Sequence, residues 1–271
     1  MDEKERSYDD ICQRIERLTK RGLDVTILGD VTYGQSQFPI FQATTPVSEG
    51  KDNILISGGV HGDEPAGIYA SLNFLENHMS RYLDRFNFFA YPCINPSGFE
   101  MDTIENSGKV NLNRDFKQDY ESQEVALIQE SLKQGPKRYL ITMDLHEAPP
   151  DYEGEGFTKE DNPKAFWLYE VCEDKSIRIG DNIVQGIEED VPVCKWKTIY
   201  DDINSGGVIW YPEGCANEVY AESTTFEGFL DLHYTNQSFT VETPTGWDLR
   251  RRVDVQIKTV ILALDEVLKR E

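Results

Sequence analysis

The chain has 271 residues, 39% hydrophobic and 28% charged, which suits a globular protein with a substantial core. Its 27 basic residues face 49 acidic ones, and a formal net charge of -22 disfavours nucleic acid and anionic membrane surfaces as partners. The five cysteines, Cys12, Cys93, Cys172, Cys194 and Cys215, are odd in number and form no Cys-x-x-Cys pair, so they read as reduced thiols. The charged start, Met1-Asp-Glu-Lys-Glu-Arg6, leads into no apolar signal core, and no run of about 18 apolar residues could span a bilayer. A cytoplasmic protein is expected.

Tyr8 to Leu18 carries Ile11, Ile15 and Leu18 at helical spacing. Val25 to Leu28 and Phe38 to Ala43 read as strands around the turn-rich Tyr33-Gly-Gln-Ser36. Ile54 to Ser57 is a third strand, Ala66 to Asn77 a helix, and Phe86 to Tyr91 a buried strand closed by Pro92. Gln123 to Lys133 predicts a helix, Tyr139 to Leu145 a buried strand, Ile177 to Ile187 a helix and Ser238 to Val241 a short strand. Apolar positions from Val253 to Leu268 make Leu249 to Lys269 a long closing helix. Strands alternating with helices predict a parallel or mixed sheet between helical layers. No repeat or linker divides the chain, so one domain over 1–271 is expected. The acidic, Gly-containing stretch from Pro149 to Asn162 reads as a mobile surface loop.

Three buried strands lead into residues able to do chemistry. Ile54 to Ser57 is followed by His61 and Glu64, Tyr139 to Met143 by Asp144-Leu-His146-Glu147, and Ser238 to Val241 by Glu242. Ligands of open α/β sheets bind outside the carboxyl ends of strands, so these endings can share one site. Each alone has a bland reading as a cap, a core histidine or a turn; together they form a coherent set. Two imidazoles and a carboxylate, His61, Glu64 and His146, are a ligand set for one Zn²⁺ with an open position. Glu242 is then the general base, and Asp144 or Glu147 orients His146 from behind, with Asp63 a weaker candidate for His61. Asn113-Arg114 is a candidate clamp for a substrate carboxylate, because a guanidinium fork matches a carboxylate bidentately. His78 and His233 fit no such pattern and read as structural or exposed.

His61-Gly-Asp-Glu64, Asn95-Pro-Ser-Gly-Phe99, Asn113-Arg114, His146 and Phe239-Thr-Val-Glu242 make the chain resemble the carboxypeptidase A superfamily of zinc metallocarboxypeptidases. The landmarks keep that superfamily's order over roughly residues 24 to 265. Gly58-Gly-Val-His-Gly-Asp-Glu64 and the compact interval to His146 lie closest to its bacterial branches. Those include murein peptide amidases and the succinylglutamate desuccinylase and aspartoacylase group. The resemblance implies an α/β three-layer sandwich with a mixed sheet of about eight strands, and one zinc ion. It implies hydrolysis of an amide next to a free carboxylate held by Asn113 and Arg114.

Departures from the family pattern accompany the match. Ile104 stands where an oxyanion-stabilising arginine is usual, and Lys109 is the nearest cation that could substitute, as a point charge without the fork. Asp115 replaces the usual asparagine after the Asn-Arg pair. The family's mobile tyrosine has Tyr220 and Tyr234 as candidates. Glu227 and Asp231 lie where family members set side-chain preference, and an acid there suits a basic side chain. Carboxypeptidase activity on a peptide is the leading expectation, with N-acyl amino acid deacylation as the alternative. A metal-bearing binding protein that has lost catalysis is the rival of another class; it is motivated by Ile104 and opposed by the retention of Glu242. No Gly-Lys-Ser/Thr follows Gly58-Gly59, so a nucleotide site there is not expected.

Overall fold

A computed structural model of the chain describes residues 6–153, 156–212 and 225–270. Ten strands form one mixed sheet: β1 (Asp24–Tyr33), β2 (Ser36–Thr44), β3 (Asp52–Gly58), β4 (Phe86–Tyr91), β5 (Ile141–Ala148), β6 (Trp167–Val171), β7 (Thr198–Ile199), β8 (Asp202–Ser205), β9 (Val208–Tyr211) and β10 (Ser238–Pro244). Their order across the sheet is β1-β2-β4-β3-β5-β10-β6-β9-β8-β7. The helices are α1 (Tyr8–Glu16), α2 (Pro65–Asn77), α3 (Pro96–Met101), α4 (Gln123–Gln134), α5 (Gly180–Glu188), α6 (Phe226–His233) and α7 (Leu249–Leu268).

The middle of the sheet is parallel, β4, β3, β5 and β10 running side by side. Such strands are covered on both faces, which is why Ile54-Leu-Ile56 and Phe86 to Tyr91 are continuous buried runs. Alternation along β10 separates the layers. Thr240 faces α6, where its hydroxyl meets Glu227, while Thr243 faces α7 and accepts from Gln256. Glu242 shares a face with Thr240, so the candidate base points to the α6 side.

The sheet has ten strands where about eight were expected. The unforeseen strands lie in the 167–211 stretch, where β7 has two residues and β8 and β9 four each. Strands that short carry no readable alternation and exist because a neighbour supplies their hydrogen bonds. β5 and β10 also run further than expected. They stay paired through Glu242↔His146, Thr243↔Glu147 and Pro244↔Ala148, so His146 and Glu242 lie inside strands, not beyond their ends. The helix expected from Ile177 begins at Gly180 instead. The buried Glu170 carboxylate accepts the amides of Ile179 and Gly180 and fixes the helix start there.

Candidate metal centre and active site

The corner after β3 is built by close backbone contacts. Gly59 adopts φ 65°, and the amides of Ile94 and Asn95 donate to the carbonyls of Gly58 and Gly59. Gly62 lies against α3 so tightly that a Cβ there would sit 2.0 Å from the Gly98 carbonyl carbon. Only glycine permits that approach, and it fixes the two residues around it. Glu64 occupies the N-cap position of α2, followed by Pro65 in the first turn, which suits proline's fixed φ and missing N–H.

This corner meets His146 of β5. His61 Nδ1 lies 2.7 Å from Glu64 Oε1, and His146 Nδ1 lies 2.9 Å from Glu64 Oε2. One ligand atom from each residue falls within 4.8 Å of the others. The remaining imidazole nitrogens face outward to oxygens: His61 Nε2 to Asn111 Oδ1 at 3.2 Å, and His146 Nε2 to Asp144 Oδ2 at 2.9 Å. Asp144 is itself held by the Ser57 hydroxyl at 2.6 Å. An imidazole that donates outward presents an inward lone pair, the form that binds a metal.

Electrostatics point the same way. Burial alone would raise the Glu64 carboxyl, but the two imidazoles hold it down at about 2. Burial opposes charge on His146, yet Asp144 and Glu64 raise it well above its ordinary value. Burial pushes Glu242 well above the usual carboxylate range; His146 opposes this, while Glu64, Glu147 and Asp144 add to it. Acidic side chains thus crowd the two imidazoles, a setting that a divalent cation would relieve. Glu242 Oε2 is buried and has no hydrogen-bond partner among the described residues. The residues present thus fit a divalent ion in donor set.

Glu147 does not orient His146: its carboxylate accepts the Ala66 amide at 2.6 Å and pairs with Arg252. It caps α2 and so braces the helix that carries Glu64. Nor does Asp63 hold His61; that contact belongs to Asn111, and Asp63 Oδ1 has no hydrogen-bond partner among the described residues. Asn113 Oδ1 accepts the Phe226 amide at 2.9 Å, which ties the Asn-Arg segment to the start of α6 and leaves the amide nitrogen as its donor. Arg114 is exposed, with one guanidinium nitrogen 3.0 Å from the Asn113 carbonyl. Lys109 is exposed, at a left-handed turn of φ 65°. Tyr220 lies outside the described residues. Tyr234 packs against Phe229 and His233, and its carbonyl accepts the Tyr139 amide. Glu227 is half-buried on α6; Thr240 donates to its Oε2 at 2.5 Å, and the buried Oε1 has no partner among the described residues. Burial pushes this carboxyl up to about 7, although the Thr240 hydroxyl pulls it down.

Three residues near the site escaped the sequence. Asn111 lies two residues before Asn113, and nothing local marks it as a partner of His61. Trp167 is the register partner of Glu242 across β10 and β6, so both side chains share a face; its buried Nε1 has no partner among the described residues. Tyr200 sits with Asp201 on a turn where both adopt left-handed φ, 49° and 68°. Its ring meets Trp167 and Phe157, and its hydroxyl donates to Asn162 Oδ1 at 2.5 Å. Asn162 in turn donates to the carbonyls of Tyr152, Thr158 and Lys159, organising the described part of the 149–162 stretch.

Residues 51–164 match the model of the succinylglutamate desuccinylase/aspartoacylase catalytic domain. No curated protein matches the sequence. Among solved structures, a candidate metallopeptidase from Shewanella amazonensis SB2B superposes with a TM-score of 0.76 at 22% identity, covering 96% of this chain and 93% of that one. Carboxypeptidase A from Helicoverpa armigera gives 0.67 at 14% identity over 96% and 73% of the two chains. A metallo-carboxypeptidase from Pseudomonas aeruginosa, in complex with (2-guanidinoethylmercapto)succinic acid, gives 0.65 at 17% over 97% and 68%. At such identities these likenesses establish the fold. The catalytic-domain match spans residues 51–164, less than half of the chain, and over that stretch the chain is similar to the succinylglutamate desuccinylase/aspartoacylase group.

Proposed function

We propose that the chain is a zinc-dependent hydrolase that cleaves an amide bond next to a free carboxylate, acting as a metallocarboxypeptidase on peptides. The observation that carries this reading is the clustering of two imidazole nitrogens with the Glu64 carboxylate, beside Glu242 in register with His146 and with its Oε2 lacking a hydrogen-bond partner among the described residues. His61, Glu64 and His146 hold the ion. Zinc there supplies a Lewis acid that polarises a carbonyl oxygen and acidifies a water. Glu242 accepts a proton at its carboxylate and returns it to the departing amine. Asn113 and Arg114 receive the terminal carboxylate, the amide donating one hydrogen bond and the guanidinium a charged one. Lys109 is the cation proposed to face the developing oxyanion, and Tyr220 a further substrate contact.

Glu227 makes a basic side chain the favoured one beside the scissile bond, because a buried carboxyl near its titration midpoint is stabilised by an incoming cation. The ligand of the Pseudomonas enzyme pairs a guanidino group with carboxylates, the same combination of charges. A second reading, removal of an acyl group from an N-acyl amino acid, is supported by the family match over residues 51–164. A cytoplasmic location agrees with the four free cysteines among the described residues, and no described helix is long and apolar enough to cross a membrane. One catalytic domain over 1–271 completes the proposal. The test is a panel of peptides and N-acyl amino acids, assayed with zinc-loaded protein before and after chelation. Release of C-terminal residues, lost on chelation and restored by zinc, supports the first reading. Turnover of acyl amino acids alone supports the second, and no turnover of either rejects both.

A further inference from the structure

Arg6 reaches the metal-binding corner from 56 residues upstream. Its Nη1 donates to the Gly62 carbonyl at 2.8 Å, and Nη2 faces the Asp63 carbonyl at 3.4 Å. The same Nη2 pairs with Asp102 Oδ1 at 2.8 Å, and the guanidinium lies over the Phe99 ring, 5.6 Å from its centroid. Gly62 and Asp63 are the two residues between His61 and Glu64. Asp102 and Phe99 belong to α3 and its end, the surface on which Gly62 rests. Close by, the Tyr8 amide donates to Glu100, fastening the N-terminal stretch to the same helix.

We propose that Arg6 is a positioning residue for the metal centre: by joining the Gly62 and Asp63 carbonyls to Asp102 on α3, it fixes the loop that presents His61 and Glu64 and thereby sets metal affinity. The chemistry needs an arginine. A planar fork with five donors can meet two carbonyls and a carboxylate at once, and its face can rest on an aromatic ring. A lysine ammonium on the same stem can reach one or two of these and stacks less well. The Arg6 side chain is 23% exposed, so its contacts are partly shielded from competing water. The loop between His61 and Glu64 sets the angle between two ligands. Holding its carbonyls restricts that angle before the ion arrives, and preorganisation of this kind appears as affinity.

The proposal rests on the zinc reading of the site, and its test separates the two. Zinc affinity of the full chain is measured by competition with a chromophoric chelator for wild type, Arg6→Ala, Arg6→Lys and Asp102→Asn. Thermal unfolding of each metal-free form runs in parallel. Arg6→Ala should weaken zinc binding about 10- to 100-fold, the usual cost of losing a group behind a metal ligand. Arg6→Lys should recover only a minor part of that loss, and Asp102→Asn should weaken binding several-fold, with all metal-free melting temperatures within a few degrees. A wild type that binds no zinc sinks the metal centre itself and this proposal with it. A wild type that binds while Arg6→Ala binds equally well, or Arg6→Lys restoring full affinity, overturns the role of Arg6 alone. So does an affinity loss matched by a large fall in metal-free stability, which would make Arg6 a general staple of the fold.

Discussion

On the ligand side of the centre the three candidate ligands are tied down: His61 between Glu64 and Asn111, His146 between Glu64 and Asp144, and Glu64 also by the Glu147 amide. On the α6 and β6 side, buried polar atoms without hydrogen-bond partners among the described residues include Glu242 Oε2, Glu227 Oε1 and Trp167 Nε1. Buried polar groups are normally paired, since leaving one unpaired costs about 1–3 kcal/mol. The first side is held in place, as a proposed ion site requires. The second leaves groups that, in the proposed function, substrate, water or a proton would complete.

Glu242→Gln is the sharpest way to break this contrast. It keeps the shape of the unsatisfied side but removes the proton acceptor, and turnover should fall about 10²- to 10⁴-fold while zinc stoichiometry is unchanged. Loss of zinc together with activity would show that Glu242 belongs to the gripping side. Asn111→Ala acts on the other side, leaving His61 Nε2 without its oxygen. Zinc affinity should drop about 10- to 100-fold in chelator competition, and Asn111→Asp should tighten binding because a carboxylate is the stronger acceptor. Equal affinities for all three proteins would mean that the outward hydrogen bond does not organise His61.

Glu227 offers a readout in stability. Its carboxyl is raised from 4.5 to about 7, first by burial, so the folded protein holds a proton that the unfolded chain has released at intermediate pH. The stabilising contribution is fully present below about pH 4.5 and is lost as pH rises through about 7. Above that, the folded state carries a buried charge costing up to about 3 kcal/mol. Glu227→Gln should therefore match wild type near pH 5 and exceed it by about 2–3 kcal/mol at pH 9, in urea titrations at fixed metal saturation. A pH-independent difference would remove the titration from Glu227. The smallest effect belongs to the turn beside Tyr200. Asp201→Gly relieves a left-handed backbone but loosens the unfolded chain, a net gain of about 0.5 kcal/mol with activity intact. Destabilisation would indicate that the aspartate itself supports the turn.

Much of the architecture could be read from periodicity. The buried runs at β3, β4 and β5 and the helices α2, α4 and α7 announce themselves, because long elements repeat a pattern that local sequence contains. β7, β8 and β9 do not, and the start of α5 is set by the Glu170 carboxylate ten residues before Gly180. The amino-acid sequence by itself supplied the candidates: His61, Glu64 and His146 for an ion, Glu242 for a proton, and Asn113 and Arg114 for a carboxylate. Residue chemistry and short spacing are local properties. Only the tertiary structure decided who stands behind them. That Glu242 lies in register with His146 and Trp167, that Asn111 faces His61 and that Arg6 braces Gly62 all depend on strand pairing and chain path over tens of residues. No local pattern encodes such pairings, because their energy comes from burial and hydrogen bonds formed after distant segments meet.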